Sequence, residues 1–156
     1  MRDDAWFEEL YRGHATAVYR YFVRRAPAVD AEDLTAEVLA IAWRRRADVP
    51  AEATLPWLYR TAGFVLANHR RKIVPLPVES VPEEVDEDGD PALAAVTDDE
   101  VRTARAALRE RDRELLGLHA WEGLGGAELA EVLGISRGGA DAALSRARSR
   151  LAAAWP

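Results

Sequence analysis

The sequence predicts an all-α protein built as two small helical domains joined by a flexible acidic linker. Three observations carry that prediction. Apolar residues recur at helical spacing through most of the chain, and the short run IVPLPV is its one strand-like segment. Pro75, Pro77, Pro82 and Pro91 interrupt a stretch filled by the acids EEVDEDGD, a composition that cannot bury enough apolar surface to fold by itself. Charge follows the same division. Ten acidic and no basic residues lie between Ile73 and Glu100, whereas Met1 to Lys72 holds twelve Arg and Lys against ten acids, and Val101 to Pro156 nine against seven. The expected boundaries are 1–72 for the first domain, 73–97 for the linker and 98–156 for the second domain.

Bulk composition narrows the function. The chain of 156 residues suffices for one ordinary domain or two very small ones. It has no Cys, which removes disulfides and thiolate zinc sites. No apolar run approaches the ~20 residues of a membrane span, and the acidic start MRDDAWFEELYR has no signal-peptide core. A soluble cytoplasmic protein without membrane insertion and without a cofactor is expected. The formal charge of -6 would argue against nucleic acid if it were spread evenly. Because the acids concentrate in the linker, both flanking domains are mildly basic, and domain-level charge is what phosphate meets.

In chain order, the first helix is expected from about Asp4 to Arg25. Trp6, Phe7, Leu10, Tyr11, Val18, Tyr19 and Phe22 fall near one face, and Asp3 and Asp4 complement the positive helix end. Ala26-Pro27 ends it. Asp30 can cap DAEDLTAEVLAIAWRRR, in which Leu34, Val38, Ile41 and Ala42 form the buried stripe. Glu32 and Asp33 lie in its first turn and Glu37 one turn beyond Asp33, which suits either dipole compensation or a partner surface. After the loop Asp48 to Glu52, Thr54 can cap a third helix with Pro56 in its first turn. This helix, LPWLYRTAGFVLANHRRK, joins Trp57, Tyr59 and Phe64 to Arg60 and the basic end His69 to Lys72. Aromatics beside Arg suit unstacked bases. From the residues alone, however, Trp57 and Phe64 are expected in the core.

Helices resume near Asp98, with Val101, Ala104 and Leu108 on one face, and again over Arg113 to Trp121. Glu122 to Gly126 breaks the chain. The stretch GAELAEVLGISRGGADAALSRARSRL then reads as a helix-turn-helix. Leu129, Ala130 and Leu133 form an apolar face, Gly134 suits the left-handed turn, and Ser136 can cap the next helix. That helix buries Ala140, Leu144, Ala147 and Leu151 and carries Arg137, Asp141, Arg146, Arg148 and Arg150 on its other side. Such a helix can enter the major groove of duplex DNA.

Three stretches in this order resemble bacterial RNA polymerase sigma factors of the extracytoplasmic-function group, which have only the second and fourth sigma regions. FEELYRGHATAVYRYFVRRA with DAEDLTAEVLAIAWRRR is similar to the start of the second region, WLYRTAGFVLANHRRK to its promoter-melting helix, and LLGLHAWEGLGGAELAEVLGISRGGADAALSRARSRL to the fourth region. The resemblance implies partners: core RNA polymerase, through its β′ clamp helices and β flap, promoter DNA, and an anti-sigma protein. It assigns polymerase docking to Asp30, Glu32, Asp33 and Glu37. It assigns the minus-ten element to Trp57, Arg60, Asn68, Arg70, Arg71 and Lys72, and the minus-thirty-five element to Arg137, Asp141, Arg146 and Arg148. The sequence departs from the family pattern at both DNA-reading surfaces. Asp141 stands at a usual Lys position and Ala143 at an Arg position, Gly138-Gly139 lowers helix propensity, and Phe64 and Asn68 replace the usual Asn and Asp, with Gly63 at an often basic place.

Three functions follow. The first is a sigma factor that binds core polymerase and directs promoter-specific initiation, without catalytic residues of its own. The second is a sigma-like regulator with degenerate DNA-reading surfaces that acts through protein contacts; on that reading Asp141→Lys strengthens promoter binding. The third is a helix-turn-helix repressor reading palindromic sites. An enzyme is disfavoured, because His14, His69 and His119 are scattered, without a nucleophile or metal-ligand partner at useful spacing.

Overall fold

Asp3 opens the first helix by accepting the Trp6 backbone N–H on its Oδ1 at 3.2 Å, which satisfies one of the orphan donors of the first turn. In the computed structural model, which describes residues 1–73 and 99–155, this helix is α1 (Asp4–Val23). It is followed by α2 (Ala28–Arg44), α3 (Thr54–Ile73), α4 (Asp99–Ala106), α5 (Glu110–Ala120), α6 (Gly126–Leu133) and α7 (Arg137–Ala154). Every regular element among the described residues is thus an α-helix. The chain divides into two compact units, Met1–Asp90 and Pro91–Pro156. The run read as a linker, 73–97, lies outside the described residues apart from Ile73, the last residue of α3.

In the N-terminal unit α1 packs on α2 and α3, and α2 on α3. Their shared core includes Leu10, Val18, Phe22, Leu34, Val38, Leu39, Leu58, Val65 and Leu66. Tyr21 is buried and Tyr19 is 42% exposed, as is Tyr11 at 55%, which corrects the expected apolar face of α1. Tyr21 lies 5.7 Å from the Tyr59 ring, and the Arg25 guanidinium covers it at 3.9 Å. Buried Thr35 and Thr61 donate back to the carbonyls of Ala31 and Trp57, at 2.7 and 3.0 Å, so neither hydroxyl is left unsatisfied.

The start of α2 also differs from expectation. Asp30 does not cap it: Pro27 holds the N-cap position without a side-chain bond, and Asp30 lies within the first turn. Proline is tolerated there because its fixed φ matches the observed -55° and the helix draws no hydrogen bond from an N–H at that position. At the end of α2, Arg46 donates to the Trp43 carbonyl at 2.9 Å and covers its ring at 4.3 Å, while Arg2 donates to the carbonyls of Arg46 and Val49. Arg46 on the Trp43 carbonyl complements the negative helix end, and Arg2 ties down the turn that follows it. The Thr54 hydroxyl, expected as a cap, instead donates to the Pro50 carbonyl at 2.9 Å.

His14 is half-buried on α1, and burial pushes its pKa below the ordinary imidazole value because desolvation disfavours the charged ring. A lowered folded pKa means that the unfolded chain takes up the proton first. The neutral ring therefore supports the fold above the unfolded value of 6.5, and that support is lost as the pH falls through the folded value. The thermal midpoint of the N-terminal unit is expected to drop between about pH 7.5 and about pH 5.5, and His14→Gln to flatten that dependence. Calorimetry on both proteins checks it; identical slopes would assign the effect to other groups.

In the C-terminal unit α7 packs on α4, α5 and α6. Leu108, Leu115, Leu118, Leu124, Leu129, Leu144 and Ala147 are buried there, whereas Leu133 and Leu151 are half-buried. The turn between α6 and α7 forms as its residues dictate. Gly134 takes φ 66° and ψ 36°, Ile135 donates to the Ala130 carbonyl at 3.1 Å, and Ser136 Oγ accepts the Gly139 N–H at 3.0 Å.

Candidate nucleic-acid interface

Two helical periods sort the residues of α3. Leu58, Tyr59, Ala62, Val65 and Leu66 face the core. Trp57, Arg60, Phe64, Asn68 and Arg71 recur at spacings of three and four, so they share the opposite face. Trp57 is half-buried and the other four are exposed. Phe64, expected in the core, is 66% exposed at the centre of this stripe. The Arg60 guanidinium lies 6.0 Å from its ring, and Arg45 lies 5.8 Å from the Trp57 ring. The residue pattern already held this outcome, since Phe64 is four residues from both Arg60 and Asn68 while Val65 and Leu66 continue the apolar stripe.

The rest of the basic end is divided. Lys72 is exposed. Arg70 turns back and donates to the Arg25 carbonyl at 3.0 Å, and His69 Nε2 meets Asp30 Oδ2 at 3.3 Å. The last two turns of α3 are therefore fastened to the α1–α2 junction, and Arg71 and Lys72 are left at the surface.

On α2, Asp33 and Glu37 are exposed one turn apart, with Glu32 exposed beside them. None of the three has to be neutralised to keep the fold, which leaves a surface of one sign available to a basic partner. Asp30 differs, being half-buried against His69. Arg44, in the last turn of α2, is exposed as well.

The charged residues of α7 separate more sharply. Arg150 sends Nη1 to both carboxylate oxygens of Asp112, each at 3.0 Å, and Asp112 is only 5% exposed. Arg148 donates to His119 Nε2 at 2.6 Å. His119 must then carry its proton on Nδ1, which donates to the Leu124 carbonyl at 2.8 Å. Asp141 rests against Gly126 at the start of α6. The face opposite the buried stripe holds Gly138, Ala142, Ser145, Arg146 and Ser149, and Arg137 is exposed in the first turn. All four α7 residues expected at DNA are exposed, but Arg148 and Asp141 also make contacts within the unit, with His119 and Gly126, whereas Arg137 and Arg146 extend from it. Sequence reasoning missed Asp112 and His119, because a partner 38 or 29 residues distant leaves no periodic signal.

Among the described residues, no group of His, Asp and Glu could hold a metal ion, and no helix is long and apolar enough to cross a membrane.

Comparison with known proteins agrees with this architecture. Residues 98–151 match the family profile described as Sigma-70, region 4. Over 140 residues the chain is 37% identical to the ECF RNA polymerase sigma factor SigF of Caulobacter vibrioides, an alignment covering 85% of this chain and 75% of that protein. Two solved structures share the fold at 21% identity, each with a TM-score of 0.65. One is CnrH in complex with the cytosolic domain of CnrY, covering 97% of this chain and 88% of that one. The other is the sigma factor RpoE of Bartonella quintana in complex with the anti-sigma factor NepR, covering 95% of each chain. An all-α chain with a helix-turn-helix over its fourth-region match, and with identity to an ECF relative through most of its length, belongs to the extracytoplasmic-function sigma factors of RNA polymerase, which direct transcription.

Proposed function

We propose that this sigma factor divides its work among three helix faces. Glu32, Asp33 and Glu37 on α2 dock on the β′ clamp helices of core polymerase, with Asp30 at the edge of that surface. Trp57, Arg60, Asn68, Arg71 and Lys72 on α3 engage the minus-ten element, with Arg70 bracing the helix. Arg137 and Arg146 lead contact with the minus-thirty-five element, while the fourth region meets the β flap. The units are 1–72 and 98–156, and 73–97 serves as the acidic tether between them. The polymerase supplies all the chemistry, the protein works in the cytoplasm, and an anti-sigma protein regulates it, as such a protein accompanies the similar sigma factor of Bartonella quintana.

The observation that carries this reading is the exposed row Arg60, Phe64, Asn68 and Arg71 on one face of α3, headed by the half-buried Trp57. Leaving a Phe ring in water forgoes the ~1.5–3 kcal/mol that burial would give. A ring among cations suits an unpaired base, since the base stacks on the ring and the guanidinium groups neutralise its phosphates. Phe64 thereby joins the strand-separating set.

The test is transcription reconstituted from core polymerase and this protein on genomic promoters. Phe64→Ala is expected to reduce open-complex formation about tenfold, with core affinity unchanged, and Phe64→Trp to retain function. Wild-type protein that binds core but initiates at no promoter would defeat the sigma reading. Full open-complex formation by Phe64→Ala would remove the stacking role.

A further inference from the structure

Gly126 is the first residue of α6, and its backbone does not require glycine. The positive-φ glycines among the described residues are Gly123 and Gly134. What excludes a side chain at Gly126 is Asp141. A Cβ added there would stand 3.1 Å from Asp141 Cγ and 3.4 Å from Oδ2, with Oδ1 nearer still. The carboxylate thus occupies the volume that a side chain on Gly126 would fill. It does so where α6 lacks a side-chain cap, because Gly125 holds the N-cap position. A negative group at the uncapped, positive end of a helix is favourable.

We infer that Asp141 is a positioning residue of the helix-turn-helix rather than a DNA contact, and that Gly126 and Asp141 act as a pair. Asp141 fixes the start of α6 against the second turn of α7, and Gly126 makes room for it. Asp141 is exposed, but the carboxylate that departs from the family pattern lies against the start of α6 in its own domain. It does not weaken phosphate contact, and replacing it with a cation does not restore any. The inference depends on the sigma reading only in treating α7 as the helix that meets DNA.

The test has two arms, both on the full chain. Amide exchange at Ala127 and Glu128 needs no DNA and so stands even if the sigma reading fails. Asp141→Ala is expected to speed exchange there about two- to fivefold. Gly126→Ala is expected to speed it as well, although alanine at an ordinary helix position slows exchange, and to slow it once Asp141 is also Ala. Unchanged exchange in Asp141→Ala, or slowing by Gly126→Ala in the wild-type background, overturns the inference. The second arm measures binding to random-sequence duplex against salt. Asp141→Lys is expected to leave the salt slope as it was; a slope steeper by about one or more would make Asp141 a phosphate-facing residue and overturn it.

Discussion

Replacing Arg150 with Ala is expected to lower the thermal midpoint of the C-terminal unit by about 10 °C. The Asp112 carboxylate is 5% exposed and takes both of its 3.0 Å bonds from one Arg150 nitrogen. Removing the guanidinium leaves a buried charge without its counterion, which costs about 3–5 kcal/mol where both partners are fully buried. The Arg150 side chain is 42% exposed, so water softens the loss, and about 2 kcal/mol is expected. In a unit of this size each kcal/mol moves the midpoint by roughly 4–8 °C. Calorimetry on the full chain reads the effect, and the double variant Asp112→Leu with Arg150→Met supplies the control. It removes both charges at similar volume and is expected to recover most of the stability. If Arg150→Ala melts with the wild type, the pair contributes nothing to the hold on α7.

Charge reversal on α2 is expected to have the largest effect on function. Asp33→Lys with Glu37→Lys should weaken binding to core polymerase about a hundredfold, the size of effect that reversing matched charges at a desolvated interface produces. The fold should tolerate it. Both side chains are exposed, and two Lys one turn apart repel by only a few tenths of a kcal/mol, much as the two acids do. Asp30→Asn serves as the comparison. Its carboxylate meets His69 at 3.3 Å, so the change should act mainly on the junction between α2 and α3 and weaken core binding far less. Titration of labelled protein with core polymerase gives each affinity. A loss below about fivefold for the double reversal, typical of a solvated rim charge, would move docking to another surface.

Both predictions concern charges whose meaning differs between chain and fold. The row DAEDLTAE presents four acids within eight residues, yet the fold leaves Glu32, Asp33 and Glu37 outward and turns Asp30 to a histidine 39 residues away. On α7 five charged residues lie off the apolar stripe and all are exposed. Arg150 and Arg148 also bond to α5 and Asp141 lies against α6, whereas Arg137 and Arg146 extend from the unit. Phe64 shows the reverse error: hydrophobicity suggested the core, and helical phase put the ring in water. Tyr19 and Tyr21 are an ambiguity of the same kind, where two like residues near the edge of a stripe are separated only by which neighbour packs on them.

By itself the sequence determined that this protein is helical, where most helices begin and end, that a left-handed glycine and a serine cap form the turn of a helix-turn-helix, and to which family the chain is similar. Those features rest on period, capping and turn chemistry, all of which act within a few residues of chain. Only the tertiary structure decided which charges are spent inside each unit and which remain for a partner. A charge is written at one position, but its polar partner lies 29 to 39 residues away, as for Arg148 and His119, Asp112 and Arg150, or Asp30 and His69. Such pairs exist only once packing has brought separate helices within hydrogen-bond reach, because the strength of a polar contact depends on distance and burial, and neither is a property of the chain in order.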